Sequence, residues 1–129
     1  MHPDAELALA DFFKQLTVEV RASEHTVKNY RRDMKQLSRY CTDKGINHWT
    51  ELKHTDIRSH IADRHRKGLG SKSLQRELSA IRSFYDYLLK KGQAETNPAR
   101  HIQAPKQARK LPKTLDVDQL SGLLEAGAS

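Results

Sequence analysis

A row of basic side chains on one predicted helical face is the first feature of this sequence that can do chemistry. Its lysines and arginines recur at intervals of four, three and four residues, so they share one face of a helix: Lys28, Arg32, Lys35 and Arg39. Arg31 flanks the row and Asp33 interrupts it. Stacked like charges destabilise a helix by roughly a few tenths of a kcal/mol per pair, and a polyanionic partner offsets that cost. We interpret this row, the basic ridge, as a nucleic-acid contact; the alternative is a solvated surface.

A second candidate site follows the breakers Gly68 and Gly70. Ser71 is expected to cap a helix there, and the first turn of that helix carries two cations and a hydroxyl: Lys72, Ser73 and Arg76. Free backbone N–H groups and the positive end of the helix dipole bind phosphate, and a cation in this turn can reach base edges in the major groove. Arg82, further along the helix, is expected to reach the phosphate backbone. The alternative is that Ser71 only caps the helix and Lys72 is solvated.

Residues 97–115 have the composition of a basic interdomain linker. Three prolines favour an extended chain, and no acid occurs between Pro98 and Leu115. An extended basic segment follows a phosphate backbone well, because counterion release supplies affinity. The alternative is a disordered, solubilising linker. The cations concerned are Arg100, Lys106, Arg109, Lys110 and Lys113.

Residue types that catalyse reactions or bind metals are present, but their spacing suits neither role. Tyr30 and Tyr85 fall on apolar stripes, which favours a core role for both. We find no carboxylate pair, nucleophile–histidine constellation or glycine-rich phosphate loop. The seven histidines and the single Cys41 lack metal-ligand spacing, and one cysteine cannot form an internal disulfide. The sequence therefore predicts a binding module with no catalytic residues and no metal.

Four amphipathic helices must position these candidate residues, and no segment has the period of a strand. Each predicted helix begins with a capping residue type: Asp4, Ser23, Thr55 and Ser71. The first is expected to end near residues 21–22, the second at Gly45 and the fourth at Gly92. The apolar positions at helical spacing are Leu9, Phe13, Leu16 and Val20; Val27, Tyr30, Met34, Leu37 and Cys41; Ile57 and Ile61; and Leu74, Leu78, Ile81, Tyr85 and Leu88.

Charge and length restrict the class of protein further. The formal net charge is +7, yet residues 1–20 hold four acids and one lysine, so the positive excess lies downstream. That distribution indicates a polyanionic partner. The chain has no apolar run near the length that spans a bilayer and no signal peptide, so we expect a soluble, cytoplasmic protein with no membrane contact.

Three segments in series resemble the N-terminal part of the tyrosine site-specific recombinases (phage integrase family), most of all their XerC/XerD group and its XerC branch. They read SEHTVKNYRRDMKQLSRYC, RKGLGSKSLQRELSAIRSFYDYLLKKG and NPARHIQAPKQARKLPKTLDVDQLSGLL. The resemblance implies an all-α, compact four- to five-helix SAM-like bundle, the core-binding domain of that family. The implied limits are 1–96 for this domain, 97–115 for the linker and 116–129 for the start of a C-terminal catalytic domain.

The resemblance also implies which residues contact DNA. The first major-groove helix carries Thr26, Lys28, Asn29 and Arg32, and the second carries Lys72, Ser73 and Arg76. The family pattern around the last two prolines fits Lys106, Arg109, Lys110 and Lys113. Family members use a tyrosine to attack a phosphodiester, forming a 3′-phosphotyrosyl intermediate, with no metal or high-energy cofactor. Because those catalytic residues belong to the C-terminal domain, this chain is expected to bind double-stranded DNA and not to cleave it.

The expected task of the parent protein is the resolution of chromosome dimers at a dif-like recombination site. The family implies a XerD-like partner recombinase in a tetramer on DNA. Two alternatives stay open: an integrase of a phage or mobile element, and a SAM-like protein-interaction module.

Overall fold

The computed structural model describes residues 1–105, which contain four α-helices and one short 3-10 helix. The α-helices are α1 (Pro3–Val18), α2 (Glu24–Lys44), α3 (His54–Arg66) and α4 (Ser71–Lys90), and the 3-10 helix is Trp49–Glu51. Residues 1–105 contain no strand. The predicted all-α fold is confirmed.

The ends of α2 follow the sequence prediction. Ser23 is the N-cap, and its Oγ accepts a hydrogen bond from the Thr26 amide at 3.1 Å. Gly45 ends the helix in the left-handed conformation, with φ 73°, and its amide and the Ile46 amide satisfy carbonyls of the last turn. Gly92 likewise has a positive φ after α4.

The other three predicted helix starts are wrong by one or two residues. The N-caps are His2, Lys53 and Gly70 in place of Asp4, Thr55 and Ser71. Pro3 suits the first helical position, where no amide hydrogen is needed, and His2 Nδ1 accepts from the Asp4 amide. At α3 the hydrogen bond runs in the other direction: the carboxylate of Asp56, in the first turn, accepts from the backbone amide of the N-cap residue Lys53 at 2.9 Å.

The first helix ends at Val18, earlier than its apolar pattern predicts. The chain turns through Arg21, which has a positive φ of 56°, before α2 begins. Val20 is therefore 55% exposed and is not part of the core.

The two long helices, α2 and α4, form the centre of the bundle, with α1 packed on both and α3 packed on α4. An aromatic cluster joins the elements: the Phe84 ring lies 5.3 Å from Phe12 and 4.9 Å from Trp49, between centroids. Trp49 Nε1 donates to the Ala5 carbonyl, and the Tyr85 hydroxyl donates to the Trp49 carbonyl. These contacts fix the 3-10 helix against α1 and α4.

The first residues of the expected linker pack on the bundle. Ala99 is fully buried and Ile102 is 5% exposed, and both belong to the main core. Their three-residue spacing places both side chains on one side of a turn, against α4. The prolines and charges around them dominated the sequence pattern, so this packing was not predicted.

Candidate nucleic-acid interface

The basic ridge lies exposed on the outer face of α2. Within residues 1–105, no acidic side chain forms an ion pair with any of its four members: Lys28, Arg32, Lys35 and Arg39. Arg31 is separate from the ridge, because its guanidinium lies over the Phe13 ring of α1, 4.6 Å from the centroid. The ridge is therefore an uncompensated row of positive charge about 16 Å long, at 1.5 Å per residue.

Asp33, which interrupts the ridge in sequence, lies on another face of α2. It is 2% exposed and accepts two hydrogen bonds from Arg76 of α4, at 2.9 Å from Nε and 2.8 Å from Nη2. This hydrogen bonding raises the pKa of Arg76 above its usual value. No acceptor within residues 1–105 binds the Arg76 Nη1 group, which keeps its two hydrogens for a partner.

The Asp33–Arg76 pair holds the start of α4 against the middle of α2. Lys72 lies one turn before Arg76 and is exposed, and Ser73 is half-buried. Gly70 gives the N-terminus of α4 no side-chain cap, so the first amide groups of this helix have no acceptor within the helix or from a side chain of residues 1–105. A helix start of this kind, beside a cation, suits a phosphate.

The two remaining predicted residues of α2, Thr26 and Asn29, lie close to Asp33 around the helix, on either side of it. At 100° per residue, Asn29 is about 40° from Asp33 on the side of the ridge, whereas Thr26 is about 20° from it on the opposite side. Both Thr26 and Asn29 are half-buried, and the Asn29 amide lies 3.0 Å from His25 Nε2. Asn29 therefore lies between Asp33 and the ridge members Lys28 and Arg32, and Thr26 lies beyond Asp33.

A second buried charge cluster lies where α3 meets α4. Glu77 is completely buried, and Arg64 donates to its carboxylate from Nη2 at 3.0 Å and from Nε at 3.2 Å. Arg64 Nη1 also donates to Gln36 of α2, at 3.4 Å. Burial raises the pKa of Glu77, and the hydrogen bonds from Arg64 oppose that rise. The cluster therefore links three helices through one guanidinium.

His60 lies beside this cluster and is 3% exposed. Its Nε2 is 3.8 Å from the Glu77 carboxylate, too far for a hydrogen bond, and it has no hydrogen-bond partner within residues 1–105. Burial lowers the pKa of His60 to about 4, and the positive charge of Arg64 adds to that effect. The imidazole is thus neutral at neutral pH.

The guanidinium of Arg82 is directed at the chain that leaves the bundle. Its Nε donates to the Ala99 carbonyl at 3.0 Å, and its Nη2 donates to the Ile102 carbonyl. The structure therefore places Arg82 apart from the surface formed by α2 and the start of α4. The other predicted contacts, Lys106, Arg109, Lys110 and Lys113, lie outside the described residues.

A family comparison matches the same helices that form this surface. The family described as "Phage integrase, N-terminal SAM-like domain" matches residues 9–92, from within α1 to the glycine after α4. The chain belongs to this family. The predicted SAM-like core-binding fold is confirmed.

Curated relatives of this phage integrase N-terminal domain carry the name tyrosine recombinase XerC. One from Alcanivorax borkumensis is 46% identical over 92% of this chain, and one from Xanthomonas campestris pv. campestris (strain B100) is 42% identical over 95%. One from Vibrio cholerae serotype O1 (strain M66-2) is 36% identical over 95% of the chain. The chain spans only 38% to 40% of the length of these relatives. No solved structure matches it.

The two buried ion pairs of this SAM-like bundle were not predicted from the sequence. Asp33 lies four residues before Leu37, and Glu77 lies between Leu74 and Ile81 at helical spacing. Both acids therefore occupy the apolar faces of their helices, and that spacing was the available signal. An acid on a buried face requires a cationic partner, but the sequence does not say which one.

Reactive side chains in the described bundle are protected from solvent. Burial raises the pKa of the Cys41 thiol to about 12, and burial also raises the pKa of Tyr85, whose hydroxyl is hydrogen-bonded to Trp49. Within residues 1–105, no group of three or more His, Cys, Asp or Glu side chains is arranged to hold a metal ion. No helix in that range is long and apolar enough to cross a membrane.

Proposed function

We propose that this chain is the DNA-binding N-terminal domain of a XerC-type tyrosine recombinase. The parent protein cuts and rejoins double-stranded DNA through a 3′-phosphotyrosyl intermediate, and its catalytic residues lie beyond this chain. The observation that carries the proposal is the unpaired basic ridge of α2, set beside the uncapped start of α4. Relatives named XerC, aligned along nearly all of the chain, support it.

The two parts of the surface have different tasks in this proposal. The ridge contacts phosphates, which supplies affinity without sequence information. The start of α4 enters the major groove, which is wide enough for a helix, and presents Lys72, Ser73 and Arg76 to base edges. The linker residues Lys106, Arg109, Lys110 and Lys113 are proposed to follow the backbone further round the duplex.

A comparison of two charge-matched variants tests the ridge. Lys28→Gln/Arg32→Gln removes two ridge charges, and Lys90→Gln/Lys91→Gln removes two exposed charges from the far end of α4. Each lost phosphate contact reduces the slope of log K against log salt by about 1, so we expect a slope smaller by about 2 for the ridge variant only. The measurement is fluorescence anisotropy on a labelled duplex over a range of salt concentrations.

The outcomes of this experiment separate the candidate functions. Equal losses in both variants would mean that net charge alone attracts DNA and that the ridge makes no contact. Wild-type protein without salt-dependent binding would exclude the DNA-binding proposal and favour the SAM-like protein-interaction module.

Base readout by the start of α4 makes a separate prediction. Arg76→Ala is expected to weaken binding to a dif-like half-site by about tenfold more than binding to a random duplex. The substitution also leaves Asp33 without its partner, which lowers the folded fraction. Because unfolding reduces both affinities by the same factor, their ratio reports base readout alone. An unchanged ratio would exclude Arg76 from base readout.

At the level of the parent protein, we propose cytoplasmic resolution of chromosome dimers, with a XerD-like partner in a tetramer on DNA. The names of the relatives support this choice over an integrase of a phage or mobile element. Titration of dif-like half-sites against phage attachment half-sites in the same anisotropy assay tests it. Preference for the attachment half-sites would favour the integrase.

A further inference from the structure

The chain that follows α4 returns to that helix over residues 97–102, here called the exit segment. Arg82 binds it from the helix side, donating to the carbonyls of Ala99 and Ile102. These are carbonyls at either end of one turn, in which the Ile102 amide donates to Ala99. One guanidinium therefore holds the whole turn against α4.

Hydrogen bonds from the exit segment back to α4 complete this contact. Asn97 Nδ2 donates to the Arg82 carbonyl at 3.1 Å and to the Asp86 carboxylate at 3.0 Å. Its Oδ1 accepts from the Ala99 amide at 3.0 Å. Arg100 lies 3.6 Å from Asp86, although both side chains are more than half exposed and this pair adds little.

Apolar burial anchors the same turn. Ala99 and Ile102 are 0% and 5% exposed, and both pack in the main core. A linker that only improves solubility is not expected to bury apolar side chains or to bind an arginine through two carbonyls of one turn. The combination indicates that the bundle holds this turn in a fixed position.

Fixing the turn confines the linker cations that follow it. Four residues separate Ile102 from position 106, and a fully extended chain of that length spans at most about 14 Å, so the anchored turn limits the reach of this cation. If the chain were fixed only at Gly92, fourteen residues away, Lys106 would reach as far as about 50 Å. The anchored turn thus raises the local concentration of the linker cations near the bundle.

We propose that Arg82 is a positioning residue, which directs the linker cations onto DNA held by the bundle and does not contact DNA itself. This inference rests on the proposed DNA-binding function. The planar fork of an arginine suits two carbonyls at once, whereas the ammonium of a lysine is a single point charge that does not reproduce it.

A double-mutant cycle on duplex DNA tests the assignment. Arg82→Met removes the charge, Arg82→Lys keeps it, and a linker variant replaces the four cations by glutamine at positions 106, 109, 110 and 113. Both Arg82 variants are expected to weaken DNA binding by on the order of tenfold in the wild-type background and by less than about twofold in the linker variant. Lys90→Gln is the control for removing one charge from α4.

The opposite results would overturn the positioning role. If Arg82→Lys binds as wild type, or if Arg82→Met loses the same factor in the linker variant, Arg82 contacts phosphate directly.

Limited trypsin digestion provides a readout that needs no DNA. Cleavage after Arg100, inside the exit segment, is expected to be faster in both Arg82 variants, whereas cleavage after Lys90 is expected to be unchanged. Unchanged cleavage after Arg100 would show that Arg82 does not hold the turn. If the wild-type protein fails to bind DNA but the variants expose Arg100, the DNA-binding proposal fails and the structural contact stands.

Discussion

Single side chains of this protein take their roles from burial more than from residue type. Asp33 and Glu77 are acids within a basic protein, yet each is buried and bound by an arginine of another element. Removing one partner of a buried pair leaves an uncompensated charge and typically costs about 3–5 kcal/mol. Arg76 and Arg64 therefore stabilise the fold through these pairs.

The stability of the bundle is expected to decrease as the pH is lowered, because of His60. Its folded-state pKa, about 4, lies below the ordinary 6.5, so the unfolded state takes up the proton first as pH falls. The contribution of His60 is therefore complete above pH 6.5 and is lost as pH falls towards 4. Between pH 7 and pH 5 this amounts to about 2 kcal/mol. Urea unfolding of wild type and His60→Gln at both pH values measures it.

The control for this prediction is the pH dependence that remains in His60→Gln. The ring lies near Glu77, Tyr40 and Arg64, and the charge of Lys67 also acts on it. Glu77 acts in the opposite direction at the acid end, since its raised pKa makes the folded state bind a proton first. A wild type that loses no more stability than His60→Gln between the two pH values would contradict the assignment.

At the scale of elements, helix ends explain why the ridge has a defined length and direction. Ser23 and Gly45 fix both ends of α2, and Gly70 leaves the start of α4 open. At the other three helices the N-cap lies one or two residues before the predicted residue. At α1 the cap is His2, whose ring nitrogen accepts a hydrogen bond from the Asp4 amide.

Substitution of Gly45 tests the C-terminal cap of α2. Gly45→Ala is expected to destabilise the protein by about 1 kcal/mol, because alanine is strained at a φ of 73°. A Cβ there meets no atom of residues 1–105 within 4 Å, so clash with the described bundle does not contribute. Gly45→Asn is the control and should lose less, since asparagine tolerates this conformation. Urea unfolding that gave Gly45→Asn the larger loss would contradict the backbone explanation.

At the scale of the whole molecule, one core unites all four helices, the 3-10 helix and the exit segment. Charge is distributed unevenly over this unit: α1 has three acids and one lysine, whereas the four cations of the ridge lie on α2. The ridge therefore gives one face of α2 a row of positive charge, which favours its orientation towards a polyanion.

Because the core is shared, the domain is expected to unfold in one cooperative transition. Phe84→Ala should lower the free energy of unfolding by about 3–5 kcal/mol, since Phe84 is fully buried between Phe12 and Trp49. Leu7→Ala, at a side chain 61% exposed, should change it by less than about 0.5 kcal/mol. Trp49 fluorescence and helical circular dichroism should give the same midpoint. Separate midpoints would indicate that the helices unfold independently.

The sequence by itself determined the fold class, the four helices, both caps of α2 and the position of the basic ridge. These features depend on local chemistry: apolar spacing, capping residues and glycine at a positive φ are readable within one element. The resemblance to the XerC/XerD recombinases was also readable, because its motifs are contiguous.

Only the tertiary structure decided which charges are partners and which are exposed. Asp33 finds Arg76 forty-three residues away, and Arg82 finds carbonyls seventeen and twenty residues away. Such pairs form because a buried charge or carbonyl needs a hydrogen-bonding partner from the element that packs beside it. The spacing of residues within one element does not identify that neighbour. The same packing buried Ala99 and Ile102 within a segment that reads as a linker.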